Sequence, residues 1–156
     1  MSSKALRETI ADWLMALAAL LLFVSLFLVW SHQFSPAFLA RWGHTSVLGG
    51  VPRDPTAWQV YSGVDVLLAL LAGGLLAVAL WGGRARRLAL ALALAGALAF
   101  TIHALGVPPT NGAVVFDVAT GRYAANAPSD GAGEYLALVA LLLGGAGVAL
   151  SYTADR

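Results

Sequence analysis

The stretch Val60–Arg87, "VYSGVDVLLALLAGGLLAVALWGGRARR", decides the fold. It begins with small and polar residues, runs apolar with Asp65 as its one acid, and closes on two glycines and three arginines. The apolar part, 63–82, has about the 20 residues that an α-helix needs to cross a hydrocarbon core of about 30 Å. Three further runs have the same character: 11–30 ("ADWLMALAALLLFVSLFLVW"), 88–107 ("LALALALAGALAFTIHALGV") and 134–152 ("EYLALVALLLGGAGVALSY"). Segments apolar on every side suit lipid, where a helix satisfies each backbone N–H and C=O within itself.

Composition points the same way. Of 156 residues, 60% are hydrophobic and 11% are charged, whereas soluble domains carry about 25% charged residues. Mean hydropathy is +0.80. The expected fold is an all-α integral membrane protein, a single domain built as a four-transmembrane-helix bundle. Outer loops cover 31–62 and 108–133, an inner turn 83–87, and a tail 153–156. Lys4 and Arg7 resemble the basic start of a signal peptide. The apolar run after them exceeds the roughly 7–15 residues of a signal-peptide core, however, and no small-x-small cleavage site follows. It reads as a retained span.

With four spans both termini share a side with the 83–87 turn. That side carries Lys4, Arg7, Arg84, Arg86, Arg87 and Arg156; the other carries Arg41, Arg53 and Arg122. The bias toward positive charge inside therefore predicts cytoplasmic termini. Trp13 and Trp81 fall at the inner interface, and Trp30, Trp58 and Tyr61 at the outer one. The three arginines of the turn are also candidates for contact with anionic lipid headgroups.

The outer loops predict a small structured cap. In "SPAFLARWG", Ser35 is placed to cap a short helix, with Pro36 at its first position and Gly43 as its stop. Phe38, Leu39 and Trp42 would lay it on the membrane surface or on the bundle. "GGVPRDPTAW" reads as turns. In "GAVVFDVATGRYAAN", Val114, Val115, Phe116 and Val118 predict a strand, Gly121 a turn, and Arg122–Tyr123 the return of a β-hairpin.

Asp65, His103 and Glu134 lie one on each of three spans, near their outer ends. Converging, they could bind a metal ion or relay protons, since ionisable groups in membrane spans are site candidates. One residue per helix is not a ligand motif, and a capping role is the simpler reading. Ser62-Gly-Val-Asp65 fits [ST]-x-x-[DE], with Ser62 as N-cap and Asp65 at the third helical position. Glu134 falls in the first turn of its span behind Asp130 or Gly131, near the positive end of the helix dipole. His103 can be satisfied by Thr101, a carbonyl or water.

Other chemistry finds no support in the residues. There is no Cys, so no disulfide or thiolate chemistry. No Ser/His/Asp set, H-E-x-x-H or Gly-rich phosphate loop occurs, and a net charge of +1 with no basic aromatic face does not suggest nucleic acid. No enzyme activity and no cofactor are expected. Gly73, Gly74, Gly144, Gly145 and Gly147 mark helix faces suited to close packing in lipid.

Three segments, "SLFLVW" (25–30), "AWQVYSGVDVLLALLA" (57–72) and "GEYLALVALLLGGAGVAL" (133–150), together resemble a loose group of uncharacterised four-span proteins of high-GC bacteria. That group usually has Pro before the Trp of the first segment, where Val29 stands here. The resemblance implies a four-helix membrane fold in a bacterial cytoplasmic membrane and brings no activity with it. The topology is also similar to the claudin type, without that family's paired cysteines. The function expected is an accessory or scaffold subunit of a membrane assembly, or a homo-oligomer. Its partner-facing residues would be Phe38, Trp42, Trp58, Phe116 and Tyr123. The alternatives are a small transporter or channel with an Asp65/His103/Glu134 entry, and an adhesion or sensing module.

Overall fold

The computed structural model describes residues 3–44, 48–110, 115–117, 122–124 and 127–154, with 115–117 and 122–124 known by their backbone alone. In chain order the elements are α1 (Ser3–Ser25), β1 (Ser31–His32), α2 (Pro36–Trp42), α3 (Ala57–Val60), α4 (Val64–Trp81), α5 (Arg84–Gly106), β2 (Val115–Asp117), β3 (Arg122–Ala124), β4 (Ser129–Asp130) and α6 (Ala132–Ala154). Four helices, α1, α4, α5 and α6, are long and apolar enough to cross a membrane.

Helix α1 is the hub of the bundle. It packs most extensively on α6 and next on α4, α5 leans on α6, and the α4–α5 pair is looser than any of these. Met15, Ala18, Leu22, Leu75, Ala140 and Leu141 form the centre of the core. Two of the glycines singled out from sequence set the α1–α6 distance. A Cβ on Gly147 would lie 2.9 Å from Met15 Cγ and 3.0 Å from the Ala11 carbonyl oxygen, and one on Gly144 would lie 3.4 Å from Ala18 Cβ. Small residues bring helix backbones close where lipid offers no hydrophobic drive to associate. Leu67, Leu70, Leu80 and Leu92 all point outward. So do Trp13 and Trp81, 72% and 73% exposed near the end that carries the termini. That dress suits hydrocarbon surroundings and not water.

The helix boundaries depart from the sequence reading in two places. The inner turn contracts to Gly82 and Gly83, both at positive φ (62° and 110°), and all three arginines belong to the first turn of α5. The first span was expected to run to Trp30, but α1 ends at Ser25 and a tight turn follows. There Leu26, Phe27 and Leu28 donate back to the carbonyls of Phe23, Val24 and Ser25. Residues 29–33 are needed elsewhere. On one side the Trp30 N–H donates to Pro55 O (2.9 Å), the Gln33 N–H to Arg53 O (2.8 Å), and Val29 bridges Thr56. On the other side β1 pairs antiparallel with β4, while the N–H groups of Gly131 and Gly133 donate to Trp30 O and Val29 O. This extended strip stitches three distant parts of the chain together, and helix would have forfeited those bonds.

The short helix of the first loop follows its sequence signature. Ser35 Oγ accepts from the Phe38 N–H, Pro36 opens α2 and Gly43 closes it. Phe34 and Leu48 form a small separate core beneath it with Phe38, Leu39 and Val51. The Gly/Pro-rich turn region holds one further element, α3, capped by Thr56 with Gln59 reaching back to the Thr56 N–H. The predicted hairpin is present as β2 and β3, with Phe116 opposite Tyr123. Its strand residues Val114 and Val118 and its turn glycine Gly121 lie outside the described residues.

Candidate functional site

The three ionisable residues expected near the capped ends of the spans take three different environments. Asp65 is buried in the first turn of α4, and its Oδ1 accepts the Gly63 N–H at 2.8 Å. The cap reading needs correction in its partner. Helix α4 starts one residue later than "SGVD" implied, with Gly63 as N-cap, Asp65 at the second helical position and Ser62 exposed. The reason is backbone geometry: Gly63 sits at φ 151°, ψ −28°, a conformation closed to side chains such as serine. The carboxylate thus holds the residue before the helix, as a capping group does.

His103 is exposed in the last turn of α5, where its carbonyl accepts the Val107 N–H (2.9 Å). Among the described residues no three His, Asp or Glu side chains form a group that could hold a metal ion. Asp65, His103 and Glu134, the candidates for a convergent site, form no such group.

Glu134 is the chemically unusual group. It lies in the first turn of α6, 0% exposed, and neither carboxyl oxygen has a hydrogen-bond partner among the described residues. The Gly131 N–H faces it but donates to Trp30 O, and Asp130 lies close enough to repel it. Buried polar groups are as a rule hydrogen-bonded, so each exception calls for an explanation. Its surroundings explain how it is shut in. The Trp30 indole, fully buried, donates from Nε1 to Ser25 O at 2.7 Å. Tyr61 meets Trp30 edge-on (5.5 Å between ring centroids) and Phe100 of α5 at 5.4 Å. Burial raises the Tyr61 phenol well above its ordinary range, and the nearby Glu134 raises it further. A carboxyl screened in this way can hold a proton or a cation.

Trp30, read from sequence as an interfacial aromatic with Trp58 and Tyr61, is fully buried at the centre of this knot, while Trp58 is 38% exposed against Phe27. Two glycines make room for it. A Cβ on Gly133 would lie 2.5 Å from Trp30 Cδ1, and one on Gly131 would strike Val29 O. The signal in the sequence was "GAGE" ahead of the fourth span, small residues before an acid. Gln33 was not singled out either, yet it is fully buried and its Nε2 donates to Ser31 Oγ (2.6 Å) and Pro109 O (2.9 Å).

The remaining expectations divide. Gly144 and Gly147 pack inside the bundle, whereas a Cβ on Gly73 or Gly145 would meet nothing within 4 Å, and one on Gly74 only Leu90 Cδ1 at 3.9 Å. Of the arginines, Arg86 lines a groove between α4 and α5, and Arg87 lies near Asp12 of α1. The Arg84 side chain is outside the described set. Phe38 and Trp42 are partly exposed, with Arg41 over the Trp42 ring at 5.6 Å; the side chains of Phe116 and Tyr123 are not described. Family models, curated proteins and solved structures give no match to this chain.

Proposed function

We propose that this chain is a non-catalytic subunit of a membrane assembly, packing against other spans through small-residue faces that its own fold leaves open. The carrying observation is the groove between α1 and α4, about 380 Å³, where Ala16, Ala69 and Gly73 leave space between the larger Leu20, Phe23 and Leu76. Among the described residues no helix fills it. Small residues on an outward face let another helix approach closely in lipid, where van der Waals contact drives association. The aromatic rim at Trp58, Trp42 and Phe38 extends the contact surface beyond the spans. The excess of Lys and Arg on the side of the termini supports a cytoplasmic placement of both, and the resemblance supports a bacterial cytoplasmic membrane.

The absence of cysteine makes the test direct. Gly73→Cys, oxidised in native membranes, is expected to give a species well above 16.1 kDa, a disulfide dimer if the partner is a second copy. Gly73→Leu is expected to lower the native size without unfolding the bundle. A Gly73→Leu chain with the same native size as the unaltered one rejects this interface. Glu134 favours a second reading, a transporter or channel that takes up a proton or cation at its capped end. Flux through reconstituted protein that persists unchanged in Glu134→Gln rejects that one.

A further inference from the structure

The pair α4 and α5 is joined by two residues, yet these helices touch less than any other adjacent pair in the bundle. Between them runs a groove of about 490 Å³, lined on α4 by Leu67, Gly74 and Val78 and on α5 by Ala89 and Ala93, with Arg86 at its mouth. We propose that this groove holds one acyl chain of an anionic phospholipid from the leaflet on the side of the termini, its headgroup at Arg86.

Length, shape and charge each support this occupant. From Leu67 to Val78 the helix advances by about 16 Å, close to one leaflet of a hydrocarbon core of about 30 Å. Among its leucines, Gly74 and Ala77 on α4 and Ala89 and Ala93 on α5 are the small residues that leave it space, and a Cβ at Gly74 would meet only one side-chain atom, at 3.9 Å. The mouth is positive in two independent ways. Arg86 is exposed there, and α5 begins with no acidic residue in its first turn and no side-chain cap, so its free N–H groups add their partial charge. A helix from another subunit would have to neutralise that arginine; a lipid phosphate does so at the level where headgroups lie. The proposal rests on the membrane reading but not on the α1–α4 interface, which lies between a different pair of helices.

The test is native mass spectrometry of the full chain in detergent, titrated with phosphatidylglycerol or with phosphatidylcholine. The unaltered chain is expected to retain one phosphatidylglycerol where phosphatidylcholine is lost. Arg86→Gln is expected to weaken that retention about fivefold, the effect of one surface arginine on an anionic lipid. Arg7→Gln, elsewhere on the same side, is expected to leave it unchanged. Ala93→Leu fills the groove and is expected to abolish retention; Gly74→Ala, which the contact distances tolerate, is expected to reduce it in a chain that keeps its helical content. Equal retention of both lipids by the unaltered chain overturns the proposal. So does undiminished retention in Ala93→Leu and Gly74→Ala, or a dimer that carries no lipid, which would assign the groove to a second copy.

Discussion

Trp30, Gly131 and Gly133 show how little tolerance one corner of this protein has. Gly133→Ala drives a methyl group into the Trp30 ring and the Ser25 carbonyl oxygen. Overpacking of this kind is expected to destabilise by about 1–3 kcal/mol, measurable as a lower unfolding midpoint in detergent, while Gly145→Ala is expected to be near neutral because its Cβ meets nothing. At Asp65 the pair of substitutions separates charge from hydrogen bonding. Asp65→Ala leaves the Gly63 N–H without its acceptor and is expected to cost about 1–3 kcal/mol; Asp65→Asn keeps an oxygen there and is expected to recover most of it. Tyr61 gives a pH signature. Its phenol is held above the ordinary range by burial and by Glu134. The unfolded chain therefore loses that proton near the usual value of about 10, before the folded one does. Stability is full below about pH 10 and falls as pH rises beyond it. Tyr61→Phe is expected to flatten that fall and to remove the corresponding component from an ultraviolet titration.

Helices and strands differ in how far local residues dictate them. Helix α2 is local: Ser35, Pro36 and Gly43 delimit it, and its small core is separate from the bundle. Ser35→Ala is expected to cost about 1 kcal/mol of local stability, visible as faster hydrogen exchange in α2 with the four long helices unaffected. The strip 29–33 is the opposite case. Its first two residues, Val29 and Trp30, close an apolar run and read as the end of a span, yet the strip is extended because residues 53–56 and 129–133 supply partners on both sides. Its amides at Trp30 and Gln33 are expected to exchange slowly, although they lie outside any helix, and to lose protection in Gly131→Ala, whose Cβ would strike the Val29 carbonyl.

Across the whole molecule, the helices meet in an order that chain connectivity does not suggest. The most intimate pair, α1 and α6, are the first and last elements, while the pair joined by Gly82 and Gly83 stays open. One groove with a positive mouth lies between α4 and α5, and a second, around Ala16, Ala69 and Gly73, lies between α1 and α4. These are the surfaces through which the protein is proposed to meet lipid and partners.

Length and hydropathy sufficed for four long apolar helices, and the Ser-Pro and Gly signals for α2, because those choices depend on backbone satisfaction and capping within a few residues. Which glycines touch a neighbour, where α1 stops, and that Glu134 is sealed beside Trp30 and Tyr61 were settled only in three dimensions. Each depends on groups tens of residues apart, and no local periodicity encodes that Gly147 will face Met15 while Gly73 faces outward.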